Sequence, residues 1–199
     1  MHGFPELWHS WHHQISAFVA DYEIVAIDMR GYGGSDAPRG VQRYRMEHLC
    51  GDLAAVVTAA GHTSCLLVAH DWGGAVAWCF AANYPRMVDR LAVLCSPHPA
   101  AFQDPRRCTA AQRRKSWYFL LFMARGLPEA LLRSRDFQMV EELMTQAPGG
   151  ARIPGAISPE DVERYKAGLA RPGALTAAVN YYRASIESLT SRPSKEVQT

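Results

Sequence analysis

Residues 69–74 read Ala-His-Asp-Trp-Gly-Gly and follow the apolar run Cys65-Leu66-Leu67-Val68. A side chain at the tip of a sharp strand-to-helix turn stands above the sheet, near the positive end of the following helix. Its flanks must be small, because the turn brings strand and helix together. Ala69 and Gly73 flank Asp71 at −2 and +2, so the residue on offer is a carboxylate nucleophile. Attack on an sp³ carbon suits it, giving an alkyl-enzyme ester that water can hydrolyse at the acyl carbon. The plain alternative is an Asp that caps the next helix.

Other candidate groups are weaker. His9, His12 and His13 fall at i, i+3 and i+4 and could form a metal face, but no carboxylate or cysteine joins them in sequence, so no metal site is expected. Arg30 to Pro38 follows a strand pattern without the Lys-Ser/Thr ending of a phosphate loop and reads as a structural turn. The five cysteines, Cys50, Cys65, Cys79, Cys95 and Cys108, show neither metal nor redox spacing. Reduced, buried thiols and a reducing, intracellular compartment fit them.

The elements that must position Asp71 are legible in the first half. Trp11, Ile15, Phe18 and Val19 mark one face of a short helix. Glu23 to Met29 reads as a β-branched strand ending in the turn-rich Arg30–Gly34. Met46 to Ala60 repeats apolar residues at helical spacing until Gly61 stops it. Cys65–Ala69 and Leu91–Cys95 read as further strands on either side of a helix from Ala75 to Tyr84. This alternation, with wholly apolar strands, predicts an α/β fold whose parallel sheet is covered by helices on both faces. After Pro97-His98-Pro99 only helices are expected, over about Arg113–Arg125, Ser134–Thr145, Pro159–Ala170 and Ala174–Leu189. Residues 1–99 thus read as a core, 100–190 as a helical cap and Ser191–Thr199 as a loose polar tail. With 48% apolar and 20% charged residues and a formal net charge of +2, the chain reads as an ordinary soluble protein. The basic clusters at Arg106-Arg107 and Arg113-Arg114-Lys115 are too short for a nucleic-acid surface. The longest wholly apolar run, Phe119–Ala124, is too short to span a bilayer, and no signal peptide is evident.

His2-Gly3-Phe4-Pro5-Glu6 with Trp11, Asp28-Met29-Arg30-Gly31-Tyr32-Gly33-Gly34-Ser35-Asp36-Ala37-Pro38, and His70-Asp71-Trp72-Gly73-Gly74 together resemble the epoxide hydrolases of the α/β-hydrolase fold. Within that family the chain looks most like the vertebrate epoxide hydrolase 3 and 4 group, from residue 2 to about Arg183. The resemblance implies that Asp71 opens an epoxide and that a His with an acidic partner then activates water to release a diol. His2 and Gly3 would support an oxyanion loop whose amide donors are those of Phe4 and Trp72. Two tyrosines would assist the leaving oxygen: Tyr182, in Asn180-Tyr181-Tyr182-Arg183, and Tyr118, in Trp117-Tyr118-Phe119. By residue type alone each reads first as a core tyrosine with its hydroxyl paired, and the resemblance reverses that order for Tyr182 and balances it for Tyr118. Leu175, Val179, Tyr182, Ile186 and Leu189 share a helix face, which turns Tyr182 inward and leaves Tyr181 off the stripe. The expected partner is a small-molecule epoxide, with fatty-acid epoxides implied by the subgroup. No cofactor and no nucleic acid are expected.

The same resemblance exposes gaps. The family's His and acid follow strands beyond the cap, and no convincing substitute base is found here; Ser96-Pro97-His98-Pro99-Ala100 holds no carboxylate, and the next is Asp104. The strand that leads into His2-Gly3 in the fold is also not among these residues, nor is the membrane anchor that some members carry. The chain therefore reads as truncated at both ends, with a hole in mid-sheet between Glu23–Met29 and Cys65–Ala69. Two further readings stand beside epoxide hydrolysis. One is a catalytically inactive or binding-only product. The other is a haloalkane dehalogenase-like hydrolase, which shares the Asp elbow but commonly has Asn or Glu at the position of Phe4 and lacks the tyrosine pair.

Overall fold

The apolar run after Gly61 forms strand β1 (Cys65–His70), and Val88–Leu94 forms β2, in parallel register with Leu67 opposite Leu91 and Ala69 opposite Val93. The structure is a computed structural model that describes residues 1–103, 109, 118–146, 150, 151, 153 and 155–190. Four α-helices lie in the first half: α1 (His12–Phe18), α2 (Met46–Ala59), α3 (Asp71–Asn83) and the short α4 (Pro99–Gln103). The later helices are α5 (Tyr118–Met123), α6 (Leu127–Thr145), α7 (Pro159–Ala170) and α8 (Ala174–Thr190). Arg113–Trp117, Cys108, both basic clusters and the tail from Ser191 lie outside the described residues.

The two strands make a sheet because α3 spans the crossover between them and packs on both. Val76, Ala77 and Phe80 of α3 are fully buried, and α2 adds Leu49, Cys50, Leu53 and Val57 to the same core. Only one face of β1 is well covered. Leu67 and Ala69 point into the core, whereas Leu66 and Val68 are 48% and 42% exposed. The expectation of strands buried on both faces is therefore not met among the described residues.

Glu23–Met29 is a second departure. It is extended, yet pairs with no strand among the described residues. A strand is defined by its neighbour, and the only backbone donor in this stretch with a recorded bond is Met29, which donates to the His2 ring. An open cleft of about 620 Å³ is lined by Ala26, Ile27 and Met29 together with Met1, Leu53 and Val56. What does hold the segment is the turn after it. Asp28 accepts from the amides of Trp8 and Gly34 at 2.9 Å each, and Arg30 forms a two-pronged ion pair with Asp52 on α2. The loop from Arg30 to Pro38 is thus structural, as its sequence suggests.

The later helices follow the sequence pattern closely at α7 and α8. Ser158 and Asp161 form a reciprocal capping box at the start of α7, with Pro159 in the first turn. In α6 the helix is broken at Ser134–Phe137, where Arg135, Asp136 and Phe137 take left-handed torsions; the sequence carries no Gly or Pro there to announce it. Helix α8 packs on α5, α6, α7 and the Val41–Tyr44 turn, and so is buried nearly all round. Tyr181, expected off the apolar stripe, is accordingly buried and donates to the Arg30 carbonyl at 2.7 Å. One-sided patterning misplaces a residue when a helix has neighbours on several sides. No helix among the described residues is long and apolar enough to cross a membrane.

Hydrogen exchange should separate the two kinds of extended segment. Amides of Ile24 to Asp28 are expected to exchange rapidly, while those of Leu67 and Ala69, which face β2, are protected by the ladder and core. Equal protection in both segments would show that Glu23–Met29 has found a partner strand in solution.

Candidate active site

Asp71 is the first residue of α3 and takes φ +50°, a left-handed torsion that costs a non-glycine residue on the order of 1–2 kcal/mol. The surroundings that impose it are tight. A Cβ on Gly3 would overlap the Asp71 side chain, and one on Gly73 would collide with the His2 carbonyl, which instead accepts from the Gly73 amide at 3.0 Å. Ala69 has no exposed surface. The small residues around the elbow thus permit one close approach, between the Met1–Phe4 segment and the β1–α3 turn. The Met1 carbonyl completes it by accepting from the His70 amide at 3.0 Å.

That approach delivers the Phe4 amide to Asp71 Oδ1 at 2.9 Å, and the Trp72 amide lies close enough to favour the carboxylate charge. Both expected donors therefore converge on one side chain. Burial raises the Asp71 pKa above the usual carboxylate value, and the Phe4 and Trp72 amides pull the other way by stabilising the anion.

His2 fixes the loop from behind. Its ring is fully buried; Nε2 accepts from the Met29 amide at 3.0 Å, so the proton sits on Nδ1, which donates to the Gly3 carbonyl at 2.9 Å. Burial pushes its pKa down to about 4. Glu6 braces the same loop from the other side: its carboxylate accepts from the Gly3 amide at 3.3 Å and pairs with His70 Nδ1 at 3.0 Å. Burial pushes the Glu6 carboxyl upward, but the His70 bond and charge outweigh it and hold it below its ordinary value. The Glu6 hydrogen bond in turn raises the His70 pKa, against burial. Glu6 was not singled out by sequence; a carboxylate three residues after Gly3 was the available signal.

Tyr182 lies buried among aromatic rings, with centroids 4.8 Å from Trp72, 5.8 Å from Phe4 and 4.7 Å from Phe122. Tyr118 is 6.0 Å from Tyr182, ring to ring, and about one-third exposed. Burial, then the negative charge of Asp71, raises the pKa of both phenols, which places both within electrostatic reach of the carboxylate. Arg183, also missed by sequence, sets their spacing. Its guanidinium donates to the carbonyls of Phe122 (3.0 Å) and Ala124 (2.7 Å) and pairs with Glu129 (2.7 Å), tying the end of α5, which carries Tyr118, to α8, which carries Tyr182.

The chain has known counterparts in sequence and fold. Residues 1–192 match the family described as the alpha/beta hydrolase fold. The chain is 43% identical over 184 residues to epoxide hydrolase 3 of Xenopus tropicalis, covering 92% of this chain and 50% of that protein. It is 39% identical over 184 residues to epoxide hydrolase 4 of Homo sapiens, covering 92% and 51%. It is 38% identical over 198 residues to the AB hydrolase superfamily protein YfhM of Bacillus subtilis, covering 98% and 68%. Among solved structures, the epoxide hydrolase of Bacillus megaterium in complex with an inhibitor superposes with a TM-score of 0.81 at 32% identity, covering 92% and 63% of the two chains. The chain spans about half the length of the vertebrate relatives it matches.

The buried His2 generates a pH prediction. Unfolded, it titrates near its ordinary 6.5; folded, only near 4. Its contribution is present in full above pH 6.5 and is lost as pH falls toward 4, about 3 kcal/mol in all. Denaturant unfolding between pH 7 and 4 should show that extra loss in the parent chain and not in His2→Gln, measured as the difference between the two profiles.

Proposed function

The chain belongs to the α/β-hydrolase family, and we propose that Asp71 opens an epoxide to form an alkyl-enzyme ester, on the path to a vicinal diol. The carrying observation is the Phe4 amide on Asp71 Oδ1. That hydrogen bond leaves the other carboxylate oxygen to attack the ring carbon. The carbon–oxygen bond breaks toward the ring oxygen, which takes a proton from Tyr182 or Tyr118. Oδ1 becomes the ester carbonyl oxygen, already facing the Phe4 and Trp72 amides that would stabilise the oxyanion formed when water attacks. Both phenols are protonated at neutral pH, as an ordinary tyrosine is, and the Asp71 charge favours that form, so each has a proton to give. Likeness to proteins named epoxide hydrolase supports the substrate class. Fatty-acid epoxides are the narrower proposal, resting on the epoxide hydrolase 3 and 4 group that the sequence resembles.

A second reading, in which these residues form the ester without hydrolysing it, is favoured by the histidines. His2 is locked between Met29 and Gly3, His70 is engaged by Glu6, and His98 Nδ1 accepts from Ala100 beside the Trp78 ring. None of these three is set to activate water at Asp71.

Intact mass after incubation with a small terminal epoxide, beside Asp71→Asn, tests both. An adduct of one epoxide that is absent from the variant is expected, with Tyr182→Phe slowing its appearance by roughly 10²–10⁴-fold. A stable adduct favours the second reading, and diol accumulation the complete cycle. An adduct retained in Asp71→Asn, or halide release from a chloroalkane without epoxide turnover, would overturn the proposal.

A further inference from the structure

The histidines set aside in sequence for want of a third ligand acquire one from the fold. His9 lies in the turn at Trp8–Trp11, His12 opens α1, and Asp161 sits in the first turn of α7, 152 residues from His9. One ligand atom from each lies within 4.8 Å of the other two. A tetrahedral ion with bonds of about 2.1 Å holds its ligands roughly 3.4 Å apart, a contraction within the reach of side-chain torsions.

Each of two ligands is already oriented. His12 Nδ1 lies 2.8 Å from the His9 carbonyl, which can only accept, so the proton is on Nδ1 and Nε2 presents a lone pair. Asp161 Oδ2 is occupied by the amide and hydroxyl of Ser158 at 2.9 Å each, which leaves Oδ1 turned to His9 Nε2 at 2.9 Å. The His9 and His12 rings are stacked with centroids 4.5 Å apart, so one ring must tilt for both in-plane lone pairs to meet a single ion. Both histidines are half-buried, so a fourth position is open to water. Two imidazoles and a carboxylate form a donor set for a borderline divalent ion.

We propose that His9, His12 and Asp161 bind one zinc-class divalent cation, which replaces the His9–Asp161 hydrogen bond and joins the segment ahead of α1 to α7. The site is independent of the reaction at Asp71.

Titration of metal-stripped chain with zinc against a chromogenic chelator, paired with thermal unfolding, tests it. One equivalent is expected to bind and to raise the unfolding temperature with the logarithm of free zinc. His12→Gln, which leaves the His9–Asp161 bond in place, and Asp161→Asn should each weaken binding by at least the roughly 10–100-fold that residues merely orienting a ligand are worth. His13→Gln, at an exposed neighbour, should not. Far-UV circular dichroism verifies that each variant is folded, and His12→Gln stands alone if loss of the capping box unfolds Asp161→Asn. No binding by the parent chain, or equal binding and equal thermal shift in His12→Gln, as coordination by the exposed Cys95 would give, overturns the proposal.

Discussion

A carboxylate held under a backbone amide is the constraint from which the rest of this structure follows. For the Phe4 amide to reach Asp71 Oδ1, two backbone segments 67 residues apart must approach to within side-chain-free contact. Gly3 and Gly73 remove the Cβ atoms that would prevent it, and Asp71 accepts a left-handed torsion to complete the turn. None of this is stabilising locally. It is held by neighbours with no role in bond-making: His2 from the Met29 side, Glu6 from the His70 side, and the ladder of β1 with β2 beneath.

The electrostatics of the site are a balance between burial and oriented dipoles. Desolvation raises the Asp71 pKa, whereas the two amides favour the anion. The same desolvation holds the two phenols protonated, and the Asp71 charge acts in the same direction. Burial thus raises the proton affinity of the carboxylate and the phenols alike, and the two amides oppose it at Asp71. Glu6 and His70 form a contrasting unit, in which an ion pair outweighs the cost of partial burial for both members.

Much of this was legible in the sequence where the determinants are local. The small flanks of Asp71, the helix expected from Pro159 to Ala170, and the apolar stripe carrying Tyr182 each signal structure within a few residues. What was not legible depends on partners distant in the chain. Glu23–Met29 has strand composition, but a strand needs a neighbour, and none lies beside it among the described residues. Tyr181 was assigned outward because a single stripe implies a single neighbour, and α8 has several. A helix was expected from Ser134, where the break in α6 falls, and the turns before it from Leu127 were missed; no Gly or Pro marks the break. The His9–Asp161 contact joins residues that no spacing rule relates.

The bond from the Tyr181 hydroxyl to the Arg30 carbonyl has a consequence for the neighbouring side chain. Consecutive residues on a helix point about 100° apart, so anchoring Tyr181 fixes the rotational phase of α8 and thereby the azimuth of Tyr182. Gly31 lets this seam close, since a Cβ there would strike Ala177 on the same helix. The phenol is therefore indexed to the loop behind the nucleophile and not to the aromatic rings around it. Phe119 and Phe122, which meet Tyr182 edge-on, form a wall whose shape can drift through substitution without turning the Tyr182 ring.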